Sequence, residues 1–254
     1  MIIYKSPAEI ERMRLAGDIV AETVRRVLAV VGPGKTTADL DGVAEECIRE
    51  MGGAPSFKGY RGFPATICAS LNQEIVHGIP SRKRVLRPGD VLSLDFGAVW
   101  EGFHADAAVT VFVGGRPPDP ETEKLVRATR EALDAAIEVI RPGARLSDIG
   151  AAIQQVAEGA GFDLVKEYGG HGIGRSLHED PFISNMGPPG RGPELRPGLV
   201  VAVEPMAALG SADTRVLADD WTVVTRDGSI SAHFEHTVAV TDDGRDVLTS
   251  PART

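Results

Sequence analysis

Four carboxylates stand inside apolar, β-rich runs of this chain: Asp95 in VLSLDFG, Asp106 in HADAAVTVFV, Glu204 in VVAVEP and Glu235 in HFEHTVAV. An isolated charge in such a place costs several kcal/mol unless it is paired, hydrogen-bonded or bound to a metal. Taken singly, each reads as a salt-bridged or strand-end acid. Together they need a shared positive centre, and a pair of divalent cations meets that need better than scattered lysines. Oxygen-rich ligation with one imidazole suits Mn, Fe, Co or Zn, and two such ions can activate a water as nucleophile. Of the six histidines, two lie in glycine-bracketed motifs, His77-Gly78-Ile79-Pro80 and Gly170-His171-Gly172-Ile173-Gly174. Glycine there lets backbone approach closely. This reading assigns His171 as a ligand and gives His77 and His178 the proton-handling or oxyanion roles open to a neutral imidazole. His104, His233 and His236 sit beside the acids as packed or solvated side chains.

These residues must be positioned by elements, and the elements are legible in outline. Ser6-Pro7-Ala8-Glu9 combines a capping serine, a proline at the first helical position and a glutamate at the third, and predicts a helix to about Val31. Thr36 or Thr37 caps a second helix bearing Leu40, Val43, Cys47, Ile48 and Met51, ended by Gly52-Gly53. Val91 to Phe96 and Ala107 to Val113 read as a long hairpin around a turn containing Gly97 and Gly102. Asp119-Pro120 starts a third helix to about Ile140, and Ser147 starts a fourth. From Leu199 onward the chain reads as strands, with Asp227-Gly228 turning Trp221–Arg226 back against Ala232–Thr241.

A weak internal repeat outweighs these local signals. At an offset of 109 residues, Pro33-Gly34 matches Pro142-Gly143, Asp39-Leu40 matches Asp148-Ile149, and Leu86-Arg87-Pro88-Gly89 matches Leu195-Arg196-Pro197-Gly198. The same offset sets Asp95 opposite Glu204. The expectation is one domain of two pseudo-repeat halves, about residues 1–115 and 116–254, each a helix pair followed by antiparallel strands. The halves pack about a pseudo-twofold axis, with Asp95 and Glu204 facing a shared cleft.

Composition bounds the function. With 254 residues, 43% hydrophobic and 25% charged, the chain is an ordinary globular one. A net charge of −9 disfavours broad adhesion to nucleic acid or anionic membrane. No apolar run reaches the ~20 residues of a membrane helix. The start, MIIYKSPAEIERMR, lacks a secretory signal's apolar core, and two cysteines, Cys47 and Cys68, are too few for a disulfide framework. A cytoplasmic location is expected.

In combination, FPATICASLNQEIVHGIP, LSLDFG, HADAAVTVFV, YGGHGIGRSLHEDP, VVAVEPM and ISAHFEHTVAVT resemble the type I methionine aminopeptidases, and the likeness runs from the first helix to about Thr241. The resemblance implies a pita-bread α/β fold, a pseudo-twofold curved sheet flanked by helices. It implies that Asp95, Asp106, His171, Glu204 and Glu235 hold two divalent ions, with Asp106 and Glu235 bridging them. It also implies that Glu204 handles the proton of the attacking water, that His178 steadies the oxyanion, and that His77 contacts the scissile amide nitrogen. The methionine pocket maps onto Tyr60, Phe63, Cys68, His77, Leu177, His178 and Trp221, with Phe57 at its rim.

The chain departs from the family's commonest pattern at four places. Phe57 stands where Cys is frequent, Arg61 where the motif often reads GYHG, Leu177 where Phe is frequent, and Ala105 where Gly precedes the second Asp. The implied reaction is removal of the initiator methionine from nascent chains with a small second residue, by a monomer. The basic run Arg82, Lys83, Arg84 and Arg87 is a solvated turn or a docking point on the ribosome. The alternatives are a proline-directed aminopeptidase, whose substantial N-terminal domain has no counterpart before the repeat, and a non-catalytic relative, which would have lost ligands that are all present here. Asp95-Phe96-Gly97 mimics a kinase metal motif without the accompanying loops, and neither G-x-S-x-G nor H-E-x-x-H occurs.

Overall fold

The computed structural model describes residues 1–250. Four helices, α1 (Pro7–Val30), α2 (Thr37–Glu50), α3 (Pro120–Val139) and α4 (Leu146–Gly159), lie within a residue or two of the capping signals. The Ser6–Glu9 capping box closes the first turn of α1, and the Asp119 carboxylate accepts from Thr122 N at 2.8 Å to start α3.

Nine strands form the main sheet: β1 (Ala54–Pro55), β2 (Ile67–Leu71), β3 (Val91–Trp100), β4 (Phe103–Phe112), β5 (Gly170–Gly172), β6 (Glu179–Ile183), β7 (Val200–Val203), β8 (Glu235–Thr241) and β9 (Gly244–Val247). Their order is β1-β3-β4-β8-β7-β5-β6, with β2 also on β3 and β9 also on β8, and every pairing is antiparallel.

Side chains alternate across a strand, so burial on one face assigns the other. Leu92, Leu94, Phe96 and Ala98 of β3, with Ala105 and Ala107 of β4, pack with α1 and α2. Val201 and Val203 of β7, with Val238 and Val240 of β8, pack with α3 and α4. Each fully buried Leu, Val or Phe contributes ~1.5–3 kcal/mol relative to exposure. The helices therefore cover one face of the sheet. Asp95, Asp106, Glu204 and Glu235 are out of phase with those residues and face the other side.

The 109-residue offset recurs in the hydrogen bonds. Isolated backbone bridges join Thr36 to Val85 and Arg145 to Glu194. Gly34 N donates to Leu86 O at 2.9 Å, and Gly143 N to Leu195 O at 3.0 Å. At the same offset α2 gives α4, and the start of β3 gives the start of β7.

Two expectations need correction. Gly97 is not in the hairpin turn: β3 runs through it to Trp100, and the chain reverses at Glu101-Gly102. Glycine occurs inside the strand because a Cβ at position 97 would lie 2.5 Å from Phe57 Cε1 and 2.8 Å from Ser56 Cβ. The second correction concerns the C-terminal strands. Val223–Thr225 does not fold back on Ala232–Thr241; it pairs with Thr214–Val216 and with the distant Glu74–Val76. Ser231–His233 pairs instead with Met206–Ala208. The Asp227 carboxylate accepts from Ser211 N at 2.8 Å and Ser229 N at 2.9 Å, and so ties the turn to another loop.

Candidate active site

A cavity of about 420 Å³ opens on the face opposite the helices, and every sequence-assigned site residue lines it, together with Phe57. Neighbouring strands supply the acids: Asp95 from β3, Asp106 from β4 and Glu235 from β8, while Glu204 directly follows β7. His171 comes from β5, whose flanking glycines allow close packing. A Cβ at Gly170 would lie 2.4 Å from Ala202 O, and one at Gly172 would lie 2.2 Å from Asp180 O.

The floor is dense in carboxylate. His171 Nε2 lies 3.7 Å from Asp106 Oδ2 and 3.6 Å from Glu204 Oε1. One donor atom each from Asp106, His171 and Glu235 lies within 4.8 Å of the others. Asp95 Oδ1 is buried with no hydrogen-bond partner among the described residues. Arg61 is the single lysine or arginine among the lining residues, and its guanidinium sits over the Tyr60 ring. Burial and mutual repulsion accordingly push the carboxyls of Asp95, Glu204 and Glu235 well above the ordinary range. Burial also raises Asp106, against the opposing influence of His171 and Thr237. His171 Nδ1 lies 2.9 Å from Gly172 O. A carbonyl only accepts, so Nδ1 carries a proton and Nε2 is the nitrogen turned toward the acids, the one a metal would take. The orphaned oxygen, the convergent oxygens and one free imidazole nitrogen fit divalent cations.

Threonine hydroxyls fix this floor where the two halves meet. The β4–β8 ladder has only two residue pairs, Ala108 with Glu235 and Ala107 with His236. Beyond each end, a hydroxyl replaces the backbone of the diverging strand. Thr237 Oγ1 accepts from Asp106 N at 3.0 Å and reaches Asp106 O at 2.8 Å and Asp106 Oδ1 at 3.1 Å. Thr110 Oγ1 accepts from His233 N at 2.9 Å and donates to His233 O at 2.8 Å. Engaging Asp106 Oδ1 leaves Oδ2 to face His171. Removing such a supporting partner costs about 10–100-fold in metal affinity. Thr237→Val is expected to weaken metal binding by that factor in calorimetric titration and Thr237→Ser to restore it. Equal affinities in all three proteins would show that the hydroxyl only closes the seam.

The upper wall carries the remaining groups. His178 Nδ1 lies 2.9 Å from Tyr60 Oη, and its ring stacks on Tyr60 and stands 4.3 Å, centroid to centroid, from His171. It is reachable by solvent, yet enclosure by the walls, and then the neighbouring His171 and Arg61, lower its pKa to about 3. Burial lowers His77 to about 4. The His77 backbone is left-handed, at φ 61°, and its ring meets Trp221 and Tyr168 edge-on. Such strain in a non-glycine residue persists only where its surroundings enforce it. Phe63, Cys68 and Leu177 are buried and form the apolar wall, with Phe63 edge-on to Trp221 at 5.1 Å. Trp221 is set by Asp219, whose carboxylate accepts from Trp221 N at 3.0 Å.

Some contributors escaped the sequence reading. Tyr168 opens the motif that contains His171, but only the fold carries it to His77. His233 is packed rather than solvated: it is buried, its Nε2 lies 3.7 Å from Glu204 Oε2 with no hydrogen-bond partner among the described residues, and burial lowers its pKa to about 3. Its position two residues before Glu235 was the available signal. His104 and His236 bond Ser56 and Thr249 and do not line the cavity.

Comparison with known proteins places this arrangement. Residues 11–242 match metallopeptidase family M24. The methionine aminopeptidase of Clostridium acetobutylicum is 49% identical over 98% of this chain and 99% of its own. Methionine aminopeptidase 1 of Bacillus subtilis is 50% identical over the same shares. The crystal structure of the Thermotoga maritima methionine aminopeptidase superposes with a TM-score of 0.96 at 46% identity, covering 98% of this chain and all of that one. The prolidase of Pyrococcus furiosus gives 0.78 at 23% identity, with 66% of its chain covered, a likeness of fold.

Proposed function

The chain belongs to the methionine aminopeptidases of metallopeptidase family M24, pita-bread enzymes that remove N-terminal methionine, and from that premise we propose that it excises the initiator methionine from nascent chains whose second residue is small. We propose further that Asp95, Asp106, His171, Glu204 and Glu235 would hold two divalent ions from among Mn, Fe, Co and Zn. Such ions supply Lewis acidity and a water of lowered pKa. Glu204, on the cavity floor, takes the proton of the attacking water. His178 donates to the oxyanion, and His77 contacts the amide nitrogen. The observation that carries this reading is that all five acid and imidazole ligands, both further histidines and the apolar wall open onto one cavity.

The pocket argues the substrate. An unbranched thioether side chain enters among Tyr60, Phe63, Cys68, Leu177 and Trp221, and sulfur suits such aromatic walls. The floor and the two histidines leave little width beyond the scissile bond. Met-Gly, Met-Ala and Met-Ser peptides are expected to be cleaved well, and Met-Leu, Met-Lys and Met-Phe poorly. Apolar slots discriminate by only ~1–3 kcal/mol per methylene-sized change, so norleucine in the first position should outperform leucine. Steady-state kinetics on this peptide panel tests the assignment. Efficient Met-Phe cleavage, or a preference for proline-second peptides whatever the first residue, would reverse it.

The site is complete in one chain, which supports a monomer made of a single catalytic domain. No helix among the described residues is long and apolar enough to cross a membrane, and we propose that the enzyme works in the cytoplasm. Arg84 is ion-paired with Glu74, whereas Arg82, Lys83 and Arg87 are exposed. If these three dock on ribosomal RNA, reversing their charges should weaken ribosome co-sedimentation and flatten its salt dependence. Unchanged co-sedimentation would show them to be a solvated turn.

A further inference from the structure

Position 97 lies two residues beyond Asp95 on β3 and opposite Asp106 of β4, so its side-chain direction is toward the cavity. It is glycine, and the vacated space is filled by a residue from another element. A Cβ on Gly97 would meet Phe57 Cε1 at 2.5 Å and Cζ at 2.9 Å. The Phe57 ring is thus seated on the bare backbone of β3. It is 8% exposed, packs with Phe63, Cys68 and Leu177, and lines the cavity. The segment bearing it is held in place, because Ser56 N donates to Gly97 O at 3.0 Å, and Ser56 Oγ lies 3.0 Å from His104 Nδ1.

We propose that Gly97 and Phe57 form a specificity-determining pair: the missing side chain at 97 sets how far the Phe57 ring withdraws, and so how wide a first residue the pocket accepts. The ring has β3 on one side and the cavity on the other. An atom added at 97 presses on the ring from the β3 side, and where the ring yields toward the cavity the pocket narrows. Contacts closer than about 3 Å are not tolerated, and packed aromatic side chains shift as units. This inference rests on the methionine-pocket reading above.

The test compares the wild type, Gly97→Ala, Phe57→Leu and the double variant on X-Ala-Ser peptides, where X is methionine, the shorter norvaline or the wider phenylalanine. Each protein is loaded with Mn, and its metal content and thermal unfolding are measured alongside. Gly97→Ala should raise KM for Met-Ala-Ser about tenfold or more and for norvalyl-Ala-Ser less, with metal content kept. Phe57→Leu alone should improve the cleavage of Phe-Ala-Ser relative to Met-Ala-Ser. The double variant should recover most of the loss, since the smaller side chain vacates the contested space. Unchanged KM in folded, metal-loaded Gly97→Ala would overturn the proposal, as would a loss that Phe57→Leu does not relieve. Should Gly97→Ala fail to fold, because Ser56 Cβ must also give way, an unchanged preference in Phe57→Leu overturns it alone. Failure of the wild type on Met-Ala-Ser would instead strike the pocket reading beneath it.

Discussion

Exhaustive chelation should abolish cleavage of Met-Ala-Ser, and Mn, Co or Fe should restore it, because the proposed nucleophile is a water whose pKa a divalent ion lowers. Four carboxylates converge there with one imidazole, and among the described residues no lysine or arginine is ion-paired with them. Asp106→Ala and Glu235→Ala are each expected to lose both metal and activity. Groups that act as a unit are not additive, so removing one costs about as much as removing the set. Full activity in stripped protein would defeat the mechanism, and retention of two ions by either variant would defeat the bridging assignment.

The same floor makes a thermodynamic prediction. The raised carboxyl pKa values mean that the stripped, folded protein holds protons more tightly than the unfolded chain does. Their contribution to stability is therefore present below the ordinary carboxylate range, about pH 4, and is lost as pH rises through the raised values. The buried histidines, whose pKa values are lowered, have the opposite slope below about pH 6.5. Metal requires the acids deprotonated. The gain in Tm on adding a fixed free metal concentration should thus grow from pH 5.5 to about pH 8, in the same buffers with and without metal. A gain that shrinks over this range would show that the acids are not the ligands.

The acids of this floor are legible in sequence because strand alternation exposes any charge that breaks an apolar run, and Asp95 and Glu204 share an offset with the turns before them. The helix starts are legible for an equally local reason, since Ser6-Pro7 and Asp119-Pro120 act within one turn. What escaped is set by contacts distant in sequence. Gly97 has the composition of a turn residue, and only Phe57, forty positions earlier, explains a glycine within β3. Val223–Thr225 finds its partner at the distant Glu74–Val76, and three-residue strands carry too little pattern to announce a partner. Thr110 and Thr237 read as ordinary β-formers. Their hydroxyls matter because the strands diverge beside the acids and each hydroxyl bridges the gap.

His178→Ala should lower kcat by ~10²–10³, the usual cost of one oxyanion donor, while metal content stays at the wild-type level. The donor role depends on which nitrogen carries the proton. Tyr60 Oη lies 2.9 Å from Nδ1; when the phenol donates, the proton of the neutral ring is on Nε2, the nitrogen left free to donate to substrate. A pKa lowered to about 3 keeps the ring neutral throughout the working range, so His178 should add no limb to the kcat profile between about pH 5 and 9. Tyr60→Phe removes only the hydrogen bond that selects the tautomer. A neutral hydrogen bond is worth ~0.5–1.5 kcal/mol, which corresponds to a loss of about tenfold at most, well short of that in His178→Ala. His171→Ala provides the contrast, because it should release metal. Metal loss in His178→Ala would mean that the two imidazoles, 4.3 Å apart, had exchanged roles. A Tyr60→Phe defect as deep as that of His178→Ala would mean that the phenol, rather than the imidazole, meets the oxyanion.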